Sequence, residues 1–245
     1  MIKAVYFIGA GGIGMSAIAE MLPALGIEVQ GSNDKENANT KRLQKKGFQI
    51  FIGHKPENLK GCQAVVISTA IHPDNVELLE AKKLHLPIAH RSEMLAELLK
   101  YKRSICVAGT HGKTTTTSMV SEILLGADKD PTLSIGGILK TIDGNLRIGR
   151  SDYFVTEACE YTNSYLSFFP KISIILNVEE DHLDFFKDIN DIRDSFNRFA
   201  KLLPEDGYLI INGDIPELQT ILDGVKAKVI TFGNSSSYDY YPEEV

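Results

Sequence analysis

An excess of basic charge is missing from this chain: 26 lysines and arginines stand against 32 aspartates and glutamates, a formal net charge of −6. Tracking a nucleic acid takes a basic face, so the balance argues against broad nucleic-acid binding while leaving room for a local phosphate pocket. No apolar run approaches the roughly 20 residues that span a bilayer, which argues against membrane insertion. Cysteine is scarce, at three residues, Cys62, Cys106 and Cys159. Their number is odd and their spacing fits no zinc pattern, so reduced thiols of a cytoplasmic protein are expected. Internal repeats and low-complexity tracts are missing too. The apolar start, Met1 to Ile8, could pass for a signal peptide. It runs straight into Gly9, however, and reads better as a first buried strand. What is present is ordinary for a globular chain: 245 residues, 43% hydrophobic and 24% charged, with room for one large or two ordinary domains.

Strand and helix patterns alternate. Residues 3–8, 28–31 and 64–68 read as strands, and 13–25, 39–46, 76–83 and 93–99 as helices. A charged stretch, 100–103, reads as a linker. The pattern then restarts, with strands at 104–108, 152–157, 171–177, 208–212 and 228–231 and helices at 114–125, 189–203 and 215–222. Such alternation predicts parallel sheets with helices on their faces. The expected fold class is α/β, with a Rossmann-like domain over 1–99 and a second α/β domain of phosphate-loop type over 104–245. The end of the chain, from Ser235, has no evident cap or closing strand.

Two glycine loops carry the chemistry. Gly9-Ala10-Gly11-Gly12-Ile13-Gly14 fits G-x-G-x-x-G between a strand and a helix, the spacing that lets a pyrophosphate sit on a helix N-terminus. Asp34, at the end of the second strand, is a possible ribose partner, so a nicotinamide (NAD) oxidoreductase stays open. A nucleotide sugar carries the same diphosphate, and a plain strand–helix turn has the same glycines. Met15 and Ile18 read as core residues on the helix that follows. The second loop, Gly109-Thr110-His111-Gly112-Lys113-Thr114, also joins strand to helix. Its backbone N–H groups suit phosphate oxygens, Lys113 suits the β- and γ-phosphates, and the Thr114 hydroxyl suits Mg²⁺. Val107 stands where the general G-x-x-x-x-G-K-[ST] pattern has its first glycine. A glycine-rich turn before a threonine-rich helix start is the plain alternative. An oxidoreductase has no use for the second loop, and a simple ATPase none for the first.

Two clusters at expected strand ends could face a cation: Glu157-Ala158-Cys159-Glu160 and Asn177-Val178-Glu179-Glu180-Asp181-His182. Ligands of parallel sheets lie at the carboxyl ends of strands. Carboxylate with imidazole suits Mg²⁺ or Mn²⁺ when phosphate oxygens complete the shell. A solvated strand end for Glu157 and a hydrogen-bonded loop histidine for His182 are the alternatives. His54, His72 and His85 show no evident partner.

Taken in order, these motifs resemble the Mur ligases over nearly the whole chain. The resemblance implies an ATP-dependent, Mg²⁺-requiring ligase of bacterial cell-wall synthesis in the cytoplasm. It would join L-alanine to UDP-N-acetylmuramate through an acyl phosphate, or, as a related member, attach a preformed peptide. By resemblance, Gly11, Gly12, Ile13, Gly14 and Met15 receive the diphosphate, Ser32 and Asp34 lie on the uridine side, and Ser68, Thr69, Ala70, Ile71, His90 and Arg91 line the nucleotide-sugar site. Gly109, Thr110, His111, Gly112, Lys113, Thr114, Thr115 and Asn177 match the ATP site. Thr114, Glu157 and His182 match metal ligands, and Lys113, Glu157 and His182 the catalytic set. Where the family commonly has Gly-Ser-Asp this chain has Gly31-Ser32-Asn33. Where it has Glu-Ala-Asp-Glu-Ser, this chain has Glu157-Ala158-Cys159-Glu160-Tyr161. Family members carry a third, C-terminal domain, so the chain is expected to stop within the central domain and to be inactive alone.

Overall fold

The structure is a computed structural model describing residues 2–100 and 102–243. Tyr101 of the expected linker and Glu244 and Val245 of the expected tail lie outside the described residues. The chain divides into two compact units, Met1–Leu95 and Ala96–Val245.

The first unit runs β1 (Ala4–Ile8), α1 (Ile13–Met21), β2 (Glu28–Asn33), α2 (Ala38–Lys45), β3 (Gln49–Ile52), β4 (Ala64–Ile67), α3 (Val76–Lys83), β5 (Ile88–His90) and into α4 (Arg91–Leu99). Its sheet has the order β3-β2-β1-β4-β5 and every pairing is parallel. This is the strand order of a dinucleotide-binding half, with the switch point between β1 and β4. β1 and β4 read as apolar runs because both their faces are covered: Val5 to Ile8 and Ala64 to Ile67 are all buried. Tyr6, Ile8, Val65, Ile67, Leu78 and Ala81 form one core cluster.

The second unit runs β6 (Arg103–Ala108), α5 (Lys113–Gly126), β7 (Thr132–Leu139), β8 (Gly144–Arg147), β9 (Tyr153–Glu157), β10 (Ile172–Ile175), α6 (Ile189–Ala200), β11 (Tyr208–Asn212), α7 (Leu218–Leu222) and β12 (Lys228–Phe232). The sheet order is β12-β11-β10-β6-β9-β7-β8, parallel except for the antiparallel pair β7–β8. β6 is flanked by β9 and β10, so whatever follows these three strands shares one sheet edge. On α6 the buried residues Ile192, Phe196, Phe199 and Ala200 recur at helical spacing. Phe199 stacks on Tyr165 with ring centroids 4.4 Å apart.

The α/β class holds, and several boundaries move. The first helix ends at Met21, because Pro23 cannot donate to a continuing α-helix; a 3-10 turn, Leu22–Leu25, follows and closes on Gly26 at φ 73°. The last helix is shorter than expected, Leu218–Leu222. Four strands, β3, β5, β7 and β8, were not expected, and the second sheet is not wholly parallel. Arg103 opens β6 rather than ending a linker. The terminal segment is tied back, with Phe232 bridged to Tyr240 and Thr231 N–H donating to Asp239 at 2.8 Å. Among the described residues no helix is long and apolar enough to cross a membrane.

Candidate functional site

In the second unit the loop Gly109–Lys113 leaves the carboxyl end of β6 and opens α5. Gly112 caps that helix at φ 82°, in the left-handed region where a side chain is strained, and Gly109 sits at φ 141°. A Cβ on Gly109 would also lie 3.1 Å from the Leu176 side chain, so the residues just past β10 crowd the loop from one side. Asn177, just past β10, clamps it twice. Its Oδ1 accepts from His111 N–H at 2.8 Å, and its Nδ2 donates to the His111 carbonyl at 3.1 Å. Thr110 completes the clamp: its hydroxyl oxygen accepts from Glu179 N–H at 3.0 Å. The His111 ring itself is exposed, 4.0 Å from the Glu179 carboxylate, so it does not pack within the loop.

Lys113 is folded inward. Its ammonium donates to the Thr110 carbonyl at 3.2 Å and to both Glu160 oxygens, at 3.0 and 3.2 Å. Glu160 is buried, so the lysine supplies the opposite charge that its carboxylate lacks from water. His182 Nε2 lies 3.9 Å from the same Glu160 and from Asp181. Its ring lies tilted by 34° against Tyr161, centroids 4.5 Å apart, and the Tyr161 hydroxyl donates to Asp184 at 2.8 Å. That bond raises the Tyr161 phenol above its ordinary value. The backbone is unusual here: Thr162 and Asn163 at φ 56° and His182 at φ 52° are left-handed without being glycine. For a β-branched residue such as Thr162 this is a true outlier, of the kind that clusters at working sites.

Glu157 ends β9 facing β7, where its carboxylate accepts from Gly136 N–H at 2.6 Å. A Cβ on Gly136 would lie 2.7 Å from that carboxylate, and one on Gly137 would lie 3.0 Å from the Thr114 methyl. The pair Gly136-Gly137 thus lets Glu157 and Thr114 approach β7 from the two adjoining elements; Thr115 is exposed. Sequence reading missed this pair, because two glycines in a row signal a turn more often than a strand. Among the described residues no three His, Cys, Asp or Glu side chains gather into a self-sufficient metal site. The oxygen donors Thr114 and Glu157 suit a hard cation that takes the rest of its shell from phosphate and water, as Mg²⁺ does.

In the first unit, the loop Gly9–Gly14 is held by backbone and side chains together. Gly9 and Ala10 N–H donate to the Ser32 carbonyl at 2.9 and 2.8 Å, and Gly11 N–H to Asn33 Oδ1 at 3.0 Å. The side chains of Asn37 and Asn39 donate to the Gly11 carbonyl at 3.2 and 2.9 Å. Arg91 comes from the start of α4 to the loop: a Cβ on Gly14 would lie 2.8 Å from its guanidinium. The end of the Ser68–Ile71 segment arrives at Gly9, where a Cβ would meet the Ile71 side chain at 3.0 Å. Ser68 is half-buried, Thr69 and Ala70 are exposed, and His90 is exposed with its N–H on Glu93 at 2.7 Å. Gly12 and Ile13 are exposed, whereas Met15 is buried in the core. Asp34 turns its carboxylate onto its own chain, accepting from Lys35 N–H at 2.8 Å and Asn33 Nδ2 at 3.2 Å. Ser32 is fully buried; its hydroxyl donates to Glu77 and lies 3.0 Å from His54 Nδ1. His54, expected to be without a partner, is 2.8 Å from Glu77, and His72 pairs with Asp74.

Comparison with known proteins bears on both units. The model described as Mur ligase family, catalytic domain, matches residues 4–103, and that of the Mur ligase middle domain matches 107–245. A UDP-N-acetylmuramate–L-alanine ligase of Agathobacter rectalis is 52% identical over 243 residues, which are 98% of this chain and 53% of that protein. One from Clostridium perfringens is 49% identical, over 94% of this chain and 51% of that protein. The solved UDP-N-acetylmuramate–alanine ligase of Thermotoga maritima is 32% identical with a TM-score of 0.81, covering 95% of this chain and 53% of its own. A UDP-N-acetylmuramate:L-alanyl-γ-D-glutamyl-meso-diaminopimelate ligase of Neisseria meningitides has a TM-score of 0.87 at 28% identity, with 95% of this chain and 78% of that one covered. The chain spans about half the length of the curated relatives it matches.

Proposed function

The chain belongs to the Mur ligase family, and from that premise we propose that it carries the nucleotide-sugar and ATP sites of a ligase joining L-alanine to UDP-N-acetylmuramate. One observation carries the reading. The loop after β6, Glu157 at the end of β9 and Asn177 just past β10 follow three adjacent strands and so share one carboxyl edge. That edge is where parallel sheets take ligands.

The reaction couples two anions, a carboxylate and a triphosphate, whose approach is repulsive. Backbone N–H groups of Gly109 to Lys113 receive phosphate oxygens, and Lys113 exchanges Glu160 for the β/γ-phosphates. Thr114 would hold one Mg²⁺ beside the phosphates, and Glu157 with His182, from the loop after β10, would hold a second. The bound cations would supply charge neutralisation between phosphate and carboxylate. The muramate carboxylate attacks the γ-phosphorus, ADP leaves, and the amine of L-alanine then displaces phosphate from the acyl carbon. On the first unit, Gly11 to Gly14 and Arg91 receive the diphosphate. The identity of the Agathobacter and Clostridium relatives favours alanine as the incoming group. The likeness to the Neisseria ligase favours a preformed peptide as the second reading.

Thermal shift with UDP-N-acetylmuramate, Mg-ATP and NAD in parallel tests the proposal. The first two ligands raise the melting temperature and NAD does not. Lys113→Ala abolishes the Mg-ATP shift and keeps the nucleotide-sugar shift, and in a complete ligase it lowers turnover by on the order of 10²–10³ or more. A shift with NAD alone sinks the proposal.

A further inference from the structure

Glu77 is a fully buried carboxylate that the reaction above does not use. It lies in the first turn of α3, and donors from three other segments converge on it. Its Oε1 accepts from the Tyr6 hydroxyl of β1 at 2.9 Å, from Asn58 Nδ2 at 2.8 Å and from Lys55 N–H at 3.2 Å. Its Oε2 accepts from the Ser32 hydroxyl of β2 and stands 2.8 Å from His54 Nδ1, just beyond β3. A buried charge is tolerated only when such donors replace water.

Ser32 is the link from this carboxylate to the glycine loop. Its hydroxyl is held by Glu77, and its carbonyl accepts the N–H groups of Gly9 and Ala10, the first two residues of that loop. The next residue, Asn33, takes Gly11 N–H on its side chain. The loop therefore hangs on the end of β2, and Glu77 braces that end through the Ser32 side chain in addition to its pairing with β1 and β3.

We propose that Glu77 is a positioning residue for Gly9–Gly14, holding the loop through Ser32 in the shape that receives the diphosphate. The identity of that ligand rests on the function proposed above; the ordering of the loop does not.

Two variants of the whole chain test it. Glu77→Gln keeps an acceptor for Tyr6, Asn58 and Lys55, but turns an amide N–H₂ toward Ser32, whose hydroxyl then loses its carboxylate acceptor and is left only His54 Nδ1 at 3.0 Å. Ser32→Ala cuts the same link from the other side and leaves Glu77 its remaining donors, so it stays informative if Glu77→Gln fails to fold. Amide hydrogen exchange at Gly9 and Ala10 is read by NMR, with Thr110 of the second loop and Thr116 of α5 as controls. In both variants exchange at Gly9 and Ala10 is about tenfold faster, the equivalent of one hydrogen bond, and the controls stay as in the wild type. The Kd for UDP-N-acetylmuramate rises about tenfold while that for Mg-ATP stays. Wild-type protection at Gly9 and Ala10, or equal acceleration at all four amides, overturns the proposal and makes Glu77 a core anion alone. So does an unchanged Kd in a protein that binds the sugar nucleotide. If the wild type binds none, the functional reading fails, and the exchange data still decide the role of Glu77.

Discussion

Lys113 and Glu160 form an ion pair whose side chains are 16% and 3% exposed, so removing one partner strands the other's charge away from water. Breaking such a pair typically costs about 3–5 kcal/mol. Lys113→Ala is therefore expected to lower the stability of the second unit by about 3 kcal/mol, in addition to losing the nucleotide. Lys113→Ala with Glu160→Ala recovers most of that loss without recovering the nucleotide. Urea unfolding of the two variants checks both statements; equal stability of the single variant and the wild type would show the pair to be idle. At this scale the sequence is readable where function is local. Lys113 and Thr114 follow Gly112 at a spacing that suits phosphate chemistry, and Asn177, singled out by resemblance, lies on the His111 backbone. Glu160 was legible as an acid at a strand end but not as the lysine's partner, since they are 47 residues apart. Glu77 left no signal at all, because its donors come from β1, β2 and the loop after β3.

The β7–β8 hairpin is among the elements that pattern reading lost, and it is pinned by charge. β7 carries Gly136-Gly137, which resembles a turn, and β8 is a four-residue edge strand too short for a period to register. Asp130 ties the hairpin down, binding the Arg147 guanidinium and accepting from Arg150 N–H at 3.0 Å. The Arg147 hydrogen bond, then that backbone bond, hold its carboxyl below the ordinary carboxylate range. A depressed folded-state value means the tie is fully present above the unfolded-state value and is lost as pH falls through the folded one. Hydrogen exchange within 144–147 should thus be independent of pH-specific opening from pH 7 down to about 4 and rise below it. Asp130→Asn should give the acid behaviour already at neutral pH. A hairpin equally protected in both proteins at pH 7 would refute the tie. By contrast β1 and β6 were read correctly in kind, because their stretches buried on both faces, Val5 to Ile8 and Ile105 to Ala108, are unbroken apolar runs.

Across the whole molecule, two sheets with separate core clusters carry two separate loops, and a thiol reports on one of them. Cys106 lies in β6 with no exposed surface, and burial pushes its thiol up to about 12. At pH 8 it is therefore protonated as well as enclosed, and an alkylating reagent reaches it only when the second unit opens. A ligand bound to the folded unit slows that opening-limited labelling by the factor 1 + [L]/Kd, about a hundredfold at a hundred times Kd. Mg-ATP, held by Gly109–Thr114 in the same unit, should slow Cys106 alkylation by this factor. UDP-N-acetylmuramate, held by Gly11–Gly14 in the other unit, should leave it within about twofold of the free protein if the units open separately. Mass spectrometry of the Cys106 peptide over a time course measures both rates. Equal slowing by the two ligands would mean that both units open as one cooperative body, and a rate indifferent to Mg-ATP would remove the nucleotide from the second unit altogether.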